Sequence, residues 1–177
     1  AQDDGLIIGT ELWELGLFAE AKRELEGVRA ANRDDPLALY QLALYFRDLG
    51  LYRSSILAAD RMVAVLGEAV LSVPRFLGQL AYPVYYSELI MPLAEQYDYD
   101  SRLQFALVRQ ESLYESFATS GAAAQGLSQV IPDTGRYIAD ILTWPDYENA
   151  DLYKPYVGLN FGAFYLQQQL GFFAEDV

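Results

Sequence analysis

Two stretches of this sequence repeat each other at a spacing of 34 residues. Residues 11–25 read ELWELGLFAEAKREL and residues 45–59 read YFRDLGLYRSSILAA, so Leu-Gly-Leu-Phe aligns with Leu-Gly-Leu-Tyr. A period of 34 residues is typical of tetratricopeptide-type helix pairs. Gly16 and Gly50 would each close the first helix of a pair, where glycine suits a positive φ. Because two units are few for a free-standing solenoid, we expect them to end a longer array or to pack on the remainder of the chain.

The hydrophobic pattern predicts an all-α chain, because no stretch of useful length alternates with a period of two. Helices are predicted near 3–15, 18–31, 37–48, 52–66, 74–80, 85–97, 101–113, 125–130, 133–142 and 155–173. Pro36 is expected in the first turn of the third helix, and Asp151 as a cap or turn residue before the last. Three prolines between residues 74 and 92 mark a change of character. They divide the chain into TPR-like αα-hairpin repeats over 1–80 and a second helical domain over 81–177.

Composition removes several classes of function. The net charge of −13 argues against nucleic acid and anionic membrane surfaces as partners. The sequence has no cysteine and no histidine, which excludes thiol nucleophiles, Ser-His-Asp triads and ordinary zinc sites. The sequence contains no run of 18 uncharged apolar residues, so it predicts no membrane span. Its first residues lack the basic region that is typical of a signal peptide. Any catalysis would therefore use carboxylates, hydroxyls, Tyr, Lys or Arg.

A glutamate near the end of the helix 101–113 is the first candidate for such chemistry. Leu103, Leu107 and Glu111 are spaced by four residues, which places them on one helix face that Ala106 and Val108 extend. Glu111 is therefore predicted to be half buried, with a pKa raised by desolvation, by the helix dipole and by Glu115 if the helix persists. Such a group can act as a general acid. The alternative is a surface glutamate in water or paired with an arginine.

The residues after Glu111 favour the functional interpretation. The small-residue run ATSGAAAQ leaves room for a ligand beside the carboxylate, and it leads to GLSQ and PDTG. ALVRQES, GLSQ, PDTG and the later DLYKPYVGLNFGAFYLQQQL resemble, in order and spacing, the soluble lytic transglycosylases that cleave bacterial peptidoglycan. Ser128 stands where that family usually has Met, and Gly135 where it usually has Ala. The resemblance covers residues 81–177 and implies a lysozyme-like helical domain preceded by a superhelix of α-hairpins.

The resemblance also implies a mechanism with a single carboxylate and no cofactor or metal. Glu111 would protonate the oxygen leaving N-acetylmuramic acid and then accept the proton of the C6 hydroxyl, which closes on C1 to give a 1,6-anhydro end. The family's substrate-binding positions fall on Ser112 and Gln129, which orient Glu111 or the sugar, on Gly126 and Leu127, and on Tyr165 near the sugar ring. Tyr114 and Tyr137 are further candidates for stacking on sugars. The partner would be peptidoglycan glycan strands in the periplasm or cell envelope.

Two alternatives stay open at this point. One is a lysozyme-type hydrolase on the same fold, which needs a second carboxylate, for which Glu115 and Asp133 are candidates. The other is a non-catalytic helical scaffold. The family's pattern also continues to an Ala-Tyr-Asn-Ala-Gly-Pro segment, which this sequence does not reach before Val177. We therefore expect an incomplete domain with weak or no activity, which either self-associates through uncovered helix faces or is a remnant of a longer chain.

Overall fold

The computed structural model describes residues 4–174. The chain divides into two compact units, Ala1–Pro83 and Val84–Val177. Within residues 4–174 every regular element is a helix, and pairing between extended segments is confined to isolated bridges. The prediction of an all-α chain is therefore confirmed.

The first unit contains five helices over its described residues. They are α1 (Asp4–Glu14), α2 (Phe18–Ala31), α3 (Pro36–Asp48), α4 (Tyr52–Val65) and α5 (Arg75–Ala81). The predicted boundaries agree within about a residue, and the predicted start at residue 3 lies outside the described residues. Pro36 is the first residue of α3, and the Asp35 carboxylate accepts the main-chain N–H groups of Leu37 and Ala38 at 2.9 and 3.1 Å. A cap of this kind stabilises a helix by about 1 kcal/mol.

The turns that join α1 to α2 and α3 to α4 have the same geometry. Gly16 has φ 76° and Gly50 has φ 77°, as their position after each first helix predicted. The residue after each glycine donates its N–H to the carbonyl five positions earlier, at 2.9 and 2.8 Å. Phe18 then packs edge-on against Trp13 at 4.7 Å. The 34-residue repeat therefore corresponds to a repeated hairpin, while its assignment to the tetratricopeptide type stays a prediction.

Two apolar clusters hold the hairpins of the first unit together. One joins α2 to α3 and the other joins α3, α4 and α5. Their buried members are Leu25, Val28, Leu42 and Phe46 in the first, and Leu39, Ala43, Ala58, Ala59, Met62, Val63, Leu80 and Ala81 in the second. The buried Ser55 hydroxyl donates to the Ala43 carbonyl at 2.7 Å, so this polar group is satisfied inside the cluster.

The second unit is arranged around its last helix. Its elements are α6 (Ser87–Gln96), α7 (Ser101–Ser112), α8 (Pro132–Leu142), a 3₁₀ helix (Asn149–Tyr153) and α9 (Pro155–Ala174). α9 packs against α6, α7, α8 and the 3₁₀ helix. The cluster that it forms with α8 and the 3₁₀ helix contains Val130, Ile138, Ala139, Tyr147, Leu152, Val157 and Phe161. Over residues 4–174, no helix is long and apolar enough to cross a membrane.

The prediction of a short helix near residues 125–130 is wrong. Gln125 and Val130 instead exchange two main-chain hydrogen bonds at 3.0 and 3.2 Å across a tight turn. Gly126 has φ 73° and Gln129 has φ 47°, which a right-handed helix does not allow. A Cβ at residue 126 would overlap the carbonyl oxygen of Leu152, so the turn depends on glycine for both conformation and close approach.

Asp151 is a capping residue, but of the 3₁₀ helix. Its carboxylate accepts the Glu148 N–H at 3.0 Å and pairs with the Lys154 ammonium at 2.6 Å. The backbone bond to Glu148 and the bond to Lys154 lower the pKa of Asp151 below its ordinary value. The predicted role therefore holds for the element just before α9.

Candidate active site

The buried face of α7 is not the one that the sequence indicated. Gln104, Val108 and Ser112 face the interior, whereas Leu103 is 44% exposed and Glu111 is exposed. The buried face of α7 therefore does not run from Leu103 to Glu111, as the spacing predicted. The sequence misled because the two polar residues of the buried face are satisfied by distant partners, while the apolar Leu103 lies on the outer face.

Gln104 is the first of these buried polar residues. It is completely buried, its amide oxygen accepts a hydrogen bond from the Tyr99 hydroxyl at 2.7 Å, and its amide nitrogen donates to the Leu159 carbonyl at 2.9 Å. Burial raises the pKa of Tyr99, so this hydroxyl keeps the proton that it donates. The amide therefore joins α7 to α9 and fixes the rotation of α7, which determines where Glu111 points.

α7 ends immediately after Ser112 in two residues with left-handed backbone conformations. Leu113 has φ 50° and Tyr114 has φ 62°, a conformation that costs about 1–2 kcal/mol per non-glycine residue. Tyr114 is buried, and its hydroxyl donates to the Phe105 carbonyl at 3.1 Å. Its ring packs on those of Tyr85 and Tyr86. These contacts offset the backbone strain, and they exclude Tyr114 as a platform for sugars.

The small-residue segment after α7 is an ordered loop tied to the helix end. The Ser112 hydroxyl donates to the Leu127 carbonyl at 2.8 Å and lies 3.1 Å from the Val108 carbonyl. The Gln129 amide nitrogen donates to the Ala118 and Gly126 carbonyls at 3.1 and 2.9 Å. Both amide protons of Gln129 are thus engaged within the loop, which leaves its amide oxygen as the group available to a ligand.

Two glycines of α9 allow the loop and the 3₁₀ helix to lie directly on α9. A Cβ at Gly162 would overlap the Ser128 hydroxyl oxygen and lie 2.5 Å from the Ser128 Cβ. A Cβ at Gly158 would lie 2.7 Å from the Leu152 carbonyl oxygen. Ser128 is buried against Gly162, and its hydroxyl has no hydrogen-bond partner within the described residues. The absence of a side chain at Gly162 therefore sets the distance between the loop and α9, and at Gly158 the distance between the 3₁₀ helix and α9.

A cavity of about 280 Å³ opens where α7, the loop, α8 and α9 meet. Its lining residues are Leu107, Glu111, Ser128, Gln129, Val130, Ile131, Thr134, Gly162 and Tyr165. Glu111 supplies the single carboxylate among them. The cavity thus has one acid, a few polar groups and an apolar wall, the composition expected of a ligand site.

Three of the six residues predicted for the site line this cavity, namely Glu111, Gln129 and Tyr165. The other three, Ser112, Gly126 and Leu127, are buried behind its wall, where they hold the loop against α7 and the 3₁₀ helix. Six lining residues were not predicted for the site, namely Leu107, Ser128, Val130, Ile131, Thr134 and Gly162. The proline that starts α8 was the signal for Ile131 and Thr134, because it places the first turn of α8 directly after the loop.

The neighbouring carboxylates lie outside the cavity. Glu115 comes after the left-handed turn at the end of α7, and Asp133 is exposed in the first turn of α8. Within residues 4–174, no three acidic side chains gather closely enough to hold a metal ion. A larger hollow of about 570 Å³ lies in the first unit, between Val70 and Tyr82, but no carboxylate lines it. The smaller cavity is therefore the candidate active site.

Residues 88–177 match the family model described as the Transglycosylase SLT domain. The chain belongs to this family. Over 94 residues, 51% of the chain, it is 31% identical to the soluble lytic murein transglycosylase of Salmonella typhimurium. The matched range begins at the second residue of α6, and it includes the loop and all the residues that line the cavity.

Two solved structures share the fold of the chain. The lytic transglycosylase Slt from Pseudomonas aeruginosa, an inactive mutant with glutamate replaced by glutamine, gives a TM-score of 0.82 with 23% identity over 98% of the chain. The 70-kDa soluble lytic transglycosylase SLT70 from Escherichia coli gives 0.75 with 23% identity over 96%. The chain spans 15% of the Salmonella protein and 26% of each solved chain.

Proposed function

We propose that the SLT domain of this chain is a peptidoglycan lytic transglycosylase that uses Glu111 as its acid and base. The observation that carries the proposal is the cavity, where Glu111 of α7, Gln129 of the loop and Tyr165 of α9 meet. These residues come from separate segments, and the family motifs alone predict all three for the site. The relatives named lytic transglycosylases support the same reaction class.

The proposed reaction cleaves the bond between N-acetylmuramic acid and N-acetylglucosamine. Glu111 donates its proton to the oxygen that leaves C1 of the muramic acid, and the sugar's 2-acetamido group stabilises the positive charge that develops. The Glu111 carboxylate then takes the proton of the C6 hydroxyl, whose oxygen bonds to C1. The products are a 1,6-anhydro end and a free hydroxyl on the leaving sugar, so the reaction consumes no water and Glu111 regains its proton.

The geometry favours this reaction over lysozyme-type hydrolysis. Hydrolytic glycosidases generally place two carboxylates on either side of the scissile bond. Neither Glu115 nor Asp133 lines the cavity, so a second carboxylate is absent from its described wall. Product analysis distinguishes the two reactions, since a transglycosylase gives 1,6-anhydro ends and a hydrolase gives reducing ends.

Replacing Glu111 with glutamine tests the assignment. Gln keeps the shape of the side chain but removes the transferable proton, so release of anhydro-muropeptides from purified peptidoglycan should fall at least ~100-fold. Glu115→Gln is the matched control, because the same change is made outside the cavity, and it should retain activity. Both variants are compared in this chain and in any longer product of the same gene. Near-normal turnover by the Glu111 variant would disprove the assignment.

The remaining predictions concern the setting of this site. We propose that the helical hairpins of the first unit support the SLT domain without taking part in chemistry. The substrate places the protein outside the cytoplasm, in the periplasm or cell envelope. Leu103, Leu170 and Phe172 are exposed apolar residues on α7 and α9. We propose that the protein self-associates through these helix faces. Light scattering over a range of protein concentrations tests this.

A further inference from the structure

The hollow of about 570 Å³ in the first unit lies between α5 and the residues that precede it. Its wall on the α5 side consists of residues that recur at helical spacing, namely Arg75, Gly78, Gln79 and Tyr82. Tyr82 follows the last residue of α5, but its N–H still donates to the Gly78 carbonyl at 2.9 Å, so it continues the same face. With a rise of about 1.5 Å per residue, this face is about 10 Å long, with Arg75 at one end and Tyr82 at the other.

The opposite wall of the hollow is apolar. Val70 and Val73 pack against the cluster that joins α3, α4 and α5, so the core fixes their positions. Leu71 lies between them in sequence, lines the hollow and is 96% exposed. A ligand that covers these side chains removes apolar area from water, which favours its binding. The volume and the mostly apolar lining are those expected of a site for a small molecule.

Gly78 leaves the middle of the α5 wall open. A Cβ at this position would lie 3.5 Å from the Val70 carbonyl oxygen, which is an ordinary contact. The backbone therefore does not require glycine here, and alanine would be the more stable residue within a helix. The missing side chain leaves space between the two ends of the face, where a ligand can lie.

Arg75 gives the hollow a positive charge in a chain whose net charge is −13. It is the single charged residue among those that line the hollow, and it forms no hydrogen bond or ion pair with the part of the chain that the structure describes. Five other arginines are each paired with a carboxylate, namely Arg29, Arg33, Arg47, Arg61 and Arg102. A cation without such a partner, at one end of an apolar surface, is complementary to an anionic group that ends an apolar body.

The polar groups of the hollow are too few for a peptide. Besides Arg75, its side chains offer the Gln79 amide and the Tyr82 hydroxyl. A buried peptide brings one N–H and one C=O per residue, and each of them needs a partner. A hydrocarbon chain needs none. The lining therefore favours a ligand with an unbranched apolar chain and one negative charge.

We propose that this hollow binds a fatty acid, with the carboxylate on Arg75 and the acyl chain between Gly78 and Leu71 towards Tyr82. The site belongs to the first unit, and its ligand takes no part in the reaction proposed at Glu111. Binding of this kind gives the helical hairpins a function of their own.

Titration calorimetry of the whole chain with octanoate, octanol and octylammonium tests the proposal. The three probes share one acyl length and differ in the charge of the head group. Octanoate should bind at least about 10-fold more tightly than octanol, because a hydrogen bond to a charged group is the stronger kind, and octylammonium should bind more weakly still. Arg75→Gln should weaken octanoate by about 10-fold and leave octanol within about twofold. Arg53→Gln is the matched control, since Arg53 is exposed on α4 and does not line the hollow, and it should change neither affinity.

Gly78→Ala tests the space and not the charge. The added methyl group occupies the middle of the hollow, so it should weaken octanoate and octanol alike, by at least about 3-fold. Urea unfolding should show that this variant is no less stable than the wild type, because alanine is favoured within a helix and its Cβ meets no close atom. Loss of affinity without loss of stability separates a filled site from a damaged fold.

Several results would overturn the inference. They are the absence of octanoate binding, equal affinities for octanoate and octylammonium, and an octanoate affinity that Arg75→Gln does not change. Tighter binding of an acetylated Leu-Val-Leu peptide than of octanoate would also overturn it, and would assign the hollow to the apolar C-terminus of a protein. None of these measurements involves peptidoglycan, so they leave the assignment of Glu111 untouched.

Discussion

Replacing Gly162 with alanine tests whether the cavity depends on direct contact between the loop and α9. The added Cβ would overlap the Ser128 hydroxyl oxygen and lie 2.5 Å from the Ser128 Cβ. Its direction is fixed by the backbone, so no side-chain rotation relieves the overlap and the loop must move. Displacement of the loop also moves Gln129, the next residue, which lines the cavity.

The expected loss of stability results from two opposing contributions. Overpacking a closely packed contact costs up to about 3 kcal/mol, while alanine is favoured over glycine within a helix by about 1 kcal/mol. Gly162→Ala should therefore lower the free energy of unfolding by about 2 kcal/mol. Gly171 on the same helix has open space around its Cβ position. Gly171→Ala should show the favourable contribution alone, and it is the matched control.

Changes at Ser128 identify the atoms responsible. Ser128→Ala removes the hydroxyl but leaves the Cβ 2.5 Å from the new methyl group, so it should restore little stability to the Gly162 variant. Ser128→Gly leaves its Cα, at 4.0 Å, as the nearest atom of this residue. It should recover about 1–2 kcal/mol as a coupling energy in a double-mutant cycle.

Urea unfolding monitored by tryptophan fluorescence measures these effects in the second unit alone. The chain has two tryptophans, and Trp13→Phe leaves Trp144, which packs edge-on against Phe161 of α9 at 5.2 Å. A Gly162 variant as stable as the Gly171 variant would refute the close contact. So would full rescue by Ser128→Ala, because the overlap would then involve the hydroxyl alone.

Two further predictions concern a buried hydroxyl and an acidic cap. Gly135→Ala should lower the free energy of unfolding by about 1 kcal/mol, because its Cβ overlaps the Tyr147 hydroxyl, and by less in a Tyr147→Phe background, where that unpartnered hydroxyl is gone. Urea titrations of the four proteins measure both effects. The hydrogen bond with Arg102 lowers the pKa of Asp100 to about 2, so its contribution to stability is present above about pH 4 and is lost as the pH falls towards 2. The stability difference between the wild type and Asp100→Asn, measured by thermal unfolding at pH 5, 3.5 and 2, should therefore shrink with acidification, and a constant difference would contradict the assignment.

Most helices could be predicted because local signals mark their ends. Gly16 and Gly50 supply the positive φ that closes a first helix, and Asp35 with Pro36 supplies a cap and a preset first turn. These signals act within a few residues of one another, so they can be recognised without knowledge of the rest of the fold. The segment 125–130 has no local signal of this kind. Its conformation depends on a contact with Leu152, which is remote in sequence.

The site was predicted in its composition more than in its geometry. The family motifs indicated Glu111, Gln129 and Tyr165, which line one cavity. The hydrophobic pattern nevertheless placed the wrong face of α7 inside, because polarity alone cannot show that Gln104 has two distant partners. Burial of a polar residue depends on groups that meet it only after folding.

The contacts of the Leu152 carbonyl determine where this domain can accept inserted residues. Gly126 and Gly158 both approach this one oxygen, so the loop, the 3₁₀ helix and the start of α9 meet at a fixed point. We expect insertions to be tolerated between Pro145 and Asp146, which are both exposed, because added chain can bulge into solvent there while Leu152 stays in place. An insertion between 152 and 158 would shift α9 against the loop by a fraction of a turn. Two variants, each with two glycines inserted at one of these places, test the expectation by their free energies of unfolding. Equal loss of stability in both would show that the Leu152 carbonyl does not fix the position of α9 against the loop.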